Sequence, residues 1–132
     1  MNIVLIGNSL ANLVLSKFLI KKGIKVCIYH SKNNFKISPT RTIAISKSNV
    51  DFLHSIGLNI SKFSWSVKNI KIFNEKNKFK ELFNFKNKDK YLFLLVRNKS
   101  FFSFLEKSLK KNKNFSKKII NKSFKYNRLL HE

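Results

Sequence analysis

The chain is poor in the residues that most often mark a site. It has a single cysteine, Cys27, so no disulfide can close within it, which fits a reducing cytoplasm. Cys27 falls inside an apolar run, where a thiol is usually a small core residue rather than a nucleophile or ligand. The histidines His30, His54 and His131 are scattered, with no metal-ligating spacing and no zinc-finger pattern. Only six residues are acidic. No carboxylates are paired for general acid–base work, and no nucleophile is matched to a histidine. No apolar run approaches the ~20 residues of a transmembrane helix. A signal peptide is not expected either, because Asn2 to Ile6 leads directly into a lysine-bearing helix without a small-residue cleavage site.

What is abundant is lysine, isoleucine, asparagine and phenylalanine. Hydrophobic residues make up 43% of the 132 and there are 14 phenylalanines, enough for one domain with a modest core. The net charge of +22 invites a nucleic-acid or anionic-membrane partner. The lysines, however, run through the whole length, with no RNP-type motif and no helix with a discrete basic face. A codon bias toward Lys, Asn, Ile and Phe gives the same composition. No specific nucleic acid is therefore expected, and attraction to a membrane surface is a secondary benefit.

The most organised stretch is Asn2 to His30, NIVLIGNSLANLVLSKFLIKKGIKVCIYH. Asn2 to Ile6 reads as a parallel strand buried on both faces, and Gly7 ends it. From Ser9 the apolar residues Ala11, Val14, Leu15, Phe18 and Leu19 fall on one helical stripe. Lysines near the end of this helix suit its negative pole, Gly23 suits the stop, and Ile24 to Tyr29 reads as a second buried strand. The result is a βαβ unit whose first turn is where a dinucleotide places its pyrophosphate. The fingerprint G-x-G-x-x-G falls on Gly7, Ser9 and Asn12, so only its first glycine is kept. His30 stands where an acidic ribose ligand is usual. An ordinary βαβ core unit without a ligand would read the same way.

After a polar connector from Ser31 to Pro39 comes Arg41-Thr42-Ile43-Ala44-Ile45-Ser46, read as a loop. A helix follows, capped by Ser46 or Ser48, with Val50, Phe52, Leu53 and Ile56 apolar and Gly57 as the stop. Val67 to Phe73 and Phe79 to Phe85 near-alternate around a turn-like Asn74 to Asn77, which predicts a β-hairpin. Tyr91 to Val96 is a further strand. Asn98 or Ser100 can cap a helix through Phe101, Phe104, Leu105, Ser108 and Leu109. Lys110 to Lys117 reads as a polar loop, Lys118 to Phe124 as a third parallel strand, and the last residues as frayed.

This order of parts resembles the N-terminal part of the FAD-dependent aromatic-ring hydroxylases of ubiquinone biosynthesis, 2-polyprenylphenol hydroxylases in the para-hydroxybenzoate hydroxylase superfamily. The likeness rests on the glycine-containing turn, R-T-I-A-I-S at 41–46, the helix ending L-H-S-I-G-L, and R-N-K leading to F-F-S-F-L-E-K-S-L. It implies an α/β fold: a Rossmann-like FAD-binding βαβ parallel sheet with an inserted β-hairpin, truncated before the substrate domain. Residues 1–132 would form a partial FAD/NAD(P)-binding domain. Its parts would be the dinucleotide unit at 1–30, the loop and helix at 41–57, the hairpin at 67–85 and the strand–helix at 91–110.

The resemblance also implies a set of cofactor-binding positions. Gly7, Asn8, Ser9, Leu10, Ala11 and Asn12 would present helix N–H groups to the pyrophosphate. Arg41, with Thr42 beside it, matches an arginine near the flavin, the alternative being a solvated loop arginine. Lys99 falls on the arginine of the family's N-R, keeping the charge without the planar fork. Arg97 can substitute for it or be a surface charge. His30 can make one hydrogen bond to ribose, or be a satisfied strand-end histidine. Members bind FAD, reduce it with NAD(P)H and hydroxylate a ring bearing a polyprenyl tail. No catalytic residue and no metal ligand is expected here. The chain ends before the family's G-D-G-type segment and substrate sheet, so by itself it is expected to be inactive. Expected partners are FAD, other ubiquinone-biosynthesis proteins and the membrane surface, and the expected location is the cytoplasm, peripheral to the inner membrane.

Overall fold

A computed structural model describes residues 1–32, 38–77, 80–86 and 91–120. The elements run β1 (Asn2–Ile6), α1 (Leu10–Lys21), β2 (Lys25–Ser31), β3 (Thr42–Ser46), α2 (Lys47–Ser55), β4 (Ser64–Val67), β5 (Asn69–Asn74), β6 (Lys80–Lys86), β7 (Phe93–Arg97), α3 (Asn98–Lys110) and β8 (Phe115–Ile120). They fall into two compact units, residues 1–37 with 102–132, and residues 38–101. The division lies inside α3.

In the first unit the expected parallel sheet is present, in the order β1-β2-β8. Asn2 to Ile6 register with Lys25 to Tyr29, and Val26 to Ser31 with Phe115 to Ile120, all parallel. Burial on both faces belongs to the central strand: Val26, Ile28 and Tyr29 of β2 are buried. In the edge strand β1, Val4 and Ile6 are 42% and 48% exposed, so the expectation of two buried faces fails there. The third strand also begins earlier than its sequence suggests. Phe115 to Lys117, read as loop, are already paired with β2; the rest of that reading, 121–124, the tail and His131 lie outside the described residues.

Helix α1 corrects a second expectation. Its buried residues are Leu13, Ser16 and Ile20, not the Ala11–Val14–Leu15–Phe18–Leu19 stripe, in which Ala11 and Leu15 are exposed. The segment LANLVLSKFLIK is apolar nearly all round, so periodicity alone does not choose the buried face; the turn that launches the helix sets its phase. Ser16 can be buried because its hydroxyl donates to the Asn12 carbonyl at 2.7 Å, which leaves no unmet donor.

The second unit is a three-stranded antiparallel sheet, β3-β7-β4, plus the two-stranded sheet β5-β6. Residues 42–46, read as loop, form the strand β3, and Ser46 both ends it and caps α2, its Oγ accepting from the Asn49 N–H at 3.4 Å. Val50, Leu53 and Ile56 of this helical segment are buried, as are Leu58, Ile60, Ile45, Leu94 and Val96. Helix α2 packs on β3 and β7, and Gly57 follows at φ +80°, the left-handed conformation that stops a helix. The hairpin is real but starts later than expected: Val67 pairs with Phe93 in β4, and the hairpin itself joins Asn69–Asn74 to Lys80–Lys86. Phe79 lies outside the described residues. Across it, Lys71 holds Glu81 at 2.9 Å, and that hydrogen bond keeps the Glu81 carboxyl below the usual glutamate value.

The burial of α1 yields a direct test. Leu13→Ala is expected to destabilise the chain by about 2–5 kcal/mol, the usual range for a fully buried leucine. Leu15→Ala, at a site 40% exposed, should change stability by less than about 1 kcal/mol. Denaturant melts of the two variants check the assignment, and equal losses would refute it.

Candidate functional site

The β1–α1 turn is built by one glycine and the side chains of Ser9 and Asn12. Gly7 takes φ +98°, a conformation that costs a Cβ-bearing residue about 1–2 kcal/mol, and its N–H donates to the Tyr29 carbonyl at 2.7 Å. That bond ties the turn to the central strand. Ser9 caps the helix with extended backbone (φ −95°, ψ 161°). Its Oγ accepts from the Asn12 N–H at 3.2 Å, and its carbonyl accepts from the Leu13 N–H at 3.1 Å. The Asn12 side chain then turns back: Nδ2 donates to the carbonyls of Ile6 at 2.8 Å and Gly7 at 2.7 Å. An amide therefore occupies the place where a fingerprint glycine would let helix and strand approach closely.

This arrangement keeps a binding capacity. Helix geometry leaves the first N–H groups without intrahelical acceptors. Asn12 and Leu13 are met by Ser9, so among the described residues the N–H groups of Leu10 and Ala11 are left without an acceptor at the positive end of α1. No acidic residue lies in that first turn to neutralise it. The arrangement suits an anion such as a diphosphate. The Asn12 amide, committed to the Ile6 and Gly7 carbonyls, leaves those two N–H groups alone. The fit is thus of backbone donors, with the second and third glycine positions filled.

His30 directly follows Tyr29, whose carbonyl holds Gly7, so it lies beside the turn. Its Nδ1 donates to the Ser31 carbonyl at 3.0 Å, a local bond of the satisfied strand-end kind. One residue that sequence reasoning missed reaches the turn from β8. Lys117 Nζ donates to Asn8 Oδ1 at 2.8 Å and also pairs with Glu106 of α3. The ring of Phe102 lies 5.8 Å from the same ammonium. In the strand β8 Lys117 shares a face with Phe115 and Ile119, but as part of a stretch read as a polar loop it carried no signal.

Arg41, Thr42 and Lys99 belong to the second unit. Arg41 is exposed and precedes β3; its carbonyl accepts from the Asn98 N–H at 2.9 Å. Thr42, also exposed, opens β3 opposite Arg97, and Lys99 is exposed in the first turn of α3. These three therefore gather at one end of the antiparallel sheet. The Arg97 guanidinium lies over the Trp65 ring, 5.5 Å from the centroid. Asn98 Oδ1 is buried and has no donor among the described residues. No group of His, Cys, Asp and Glu among those residues could hold a metal ion.

No protein-family model and no curated protein sequence matches this chain. Solved structures do. The p-nitrophenol 4-monooxygenase PnpA of Pseudomonas putida matches with a TM-score of 0.72 and 19% identity, over 89% of this chain and 32% of its own. Klebsiella pneumoniae HpxO, solved with FAD and uric acid, gives 0.65 and 13%, over 89% of this chain and 30% of its own. Aklavinone-11 hydroxylase, solved with FAD and aklavinone, gives 0.63 and 11%, over 89% and 25%. The chain has the fold of the N-terminal part of FAD-dependent monooxygenases. It spans about a third of the length of the structures it matches.

The turn's hydrogen bonds predict the effect of one substitution. Asn12→Ala removes the Nδ2 donors from the exposed Ile6 and part-buried Gly7 carbonyls, so stability should fall by about 0.5–1.5 kcal/mol, the net scale of an intramolecular hydrogen bond. A chemical-denaturation midpoint equal to that of the unchanged chain would show that the amide is dispensable.

Proposed function

We propose that this chain is the FAD-binding N-terminal portion of a flavin-dependent monooxygenase that uses NAD(P)H and oxygen to hydroxylate a polyprenylated aromatic ring in ubiquinone biosynthesis. One observation carries the reading: the Gly7 turn and Ser9 cap start α1 with the Leu10 and Ala11 N–H groups lacking an acceptor among the described residues, in a fold shared with structures solved with FAD. The R-T-I-A-I-S segment at 41–46 supports the choice of the ubiquinone branch.

In this reading residues 7–12 bind the pyrophosphate, His30 offers the ribose a single hydrogen bond, and Arg41, Thr42 and Lys99 serve the flavin and phosphates. FAD, when bound, supplies electron transfer and oxygen activation. The residues of this chain bind and orient it. Turnover then needs a substrate-binding part beyond these elements. The net charge of +22 supports a peripheral place on an anionic membrane surface, among other proteins of the pathway. Among the described residues no helix is long and apolar enough to cross a membrane.

A second reading, a Rossmann-like remnant or binding module that no longer holds FAD, is favoured by a specific observation: Ser9 and Asn12 fill two glycine positions and His30 replaces the acid. Titration with FAD, followed by flavin fluorescence and thermal melting together, separates the two. Saturable binding that raises the melting temperature is expected, and Arg41→Ala should weaken it about tenfold, as for loss of one charge-assisted contact. A folded chain that never saturates would establish the remnant.

A further inference from the structure

Asn8 sits at the centre of the β1–α1 turn, between a glycine at positive φ and the helix cap. Among the described residues it makes no backbone–backbone hydrogen bond. Its one hydrogen bond there is through the side chain, Oδ1 accepting from Lys117 Nζ at 2.8 Å. Gly7 is anchored to Tyr29 and Ser9 to Asn12 and Leu13, so the peptide units between them depend on this bond. Lys117 is itself held from two sides. Glu106, one of only six acidic residues in the chain, pairs with its ammonium, and the Phe102 ring lies against it. Its side chain is only 23% exposed, so the ammonium is steadied by partners rather than by bulk water. The three elements involved are far apart in sequence: the first turn, the second half of α3 and the last strand of the sheet.

We propose that Lys117 is a positioning residue for this turn. By fixing Asn8 it sets the peptide planes that leave the Leu10 and Ala11 N–H groups aimed outward, and so sets the affinity for a diphosphate. This compensates for the two filled glycine positions. A glycine-rich turn is shaped by its backbone alone, whereas this one is held by side chains, Asn12 from within and Lys117 from β8. The consequence for affinity rests on the reading of the turn as a diphosphate site; the effect on the turn itself does not.

The test compares the full chain with K117M, K117R and N8A. NMR relaxation gives backbone order parameters for residues 7–12, and calorimetry gives the affinity for ADP. K117M and N8A should each lower the order parameter of Asn8 from the rigid value near 0.85 toward about 0.6. Each should weaken ADP about tenfold, the scale of one hydrogen bond to a charged group. The double variant should be no worse than either single one, because both cut the same bond. K117R, which keeps the cation and its donors, should recover most of both. If K117M fails to fold, N8A cuts the same bond from its other end. Unchanged order in N8A or K117M, or additive losses in the double variant, would overturn the proposal. Ordered turns with no ADP binding in the unchanged chain would overturn the diphosphate reading and leave the positioning role standing.

Discussion

The first unit depends on one side-chain amide. Asn12 Nδ2 reaches back to the carbonyls of Ile6 and Gly7, the end of one element and the start of the turn that leads to the next. The Asn12 backbone carbonyl takes the Ser16 hydroxyl, and its N–H is met by Ser9. A single residue thus connects strand, cap and helix interior. The helix it opens buries Leu13, Ser16 and Ile20. The arrangement replaces conformational freedom with enthalpy: a glycine at this position lets backbones approach, whereas an asparagine spans the gap and binds both sides.

Much of this was legible in the residues. The βαβ order, the Gly7 turn, the helix stop at Gly57 and the cap Ser46 follow from local chemistry, and the structure has them; of the expected α3 stripe, Phe101, Leu105 and Leu109 are buried, while Phe104 and Ser108 are only half-buried. What was not legible depended on partners distant in sequence. Residues 42–46 look like a loop until β7 lies beside them, and Val67 looks like part of the hairpin until Phe93 claims it. Phe115 to Lys117 look like a polar loop because two lysines interrupt the apolar run. The phase of α1 was hidden for the opposite reason: too many of its residues are apolar for periodicity to choose a face. In the candidate site, the turn residues were visible as a motif. Lys117 was not, because its role appears only once β8 is placed beside β2.

Charge is distributed with the same economy. Among the described residues, ion pairs join Lys47 to Asp51, Lys71 to Glu81 and Lys117 to Glu106. The first two are exposed pairs of the kind that contribute little, typically below about 1 kcal/mol. With 28 basic and six acidic residues, the chain carries a standing self-repulsion that added salt screens. Aromatic rings share some of this load: Arg97 lies over Trp65, Lys22 over Phe18 and Lys118 over Tyr29. The many phenylalanines and the many lysines thus interact with each other as well as with core and solvent.

The split order of the first unit bears on how the chain is made. Its sheet takes two strands from the beginning of the chain and the third from Phe115–Ile120, while the second unit is one uninterrupted segment, residues 38–101. At about 5–20 residues per second, a ribosome spends several seconds adding that segment while β2 waits with a bare edge. The contiguous unit can close as soon as β7 emerges. The older part of the chain cannot finish until the newest strand arrives, so during synthesis β2 is the edge most open to a chaperone or to mispairing with a neighbouring nascent chain.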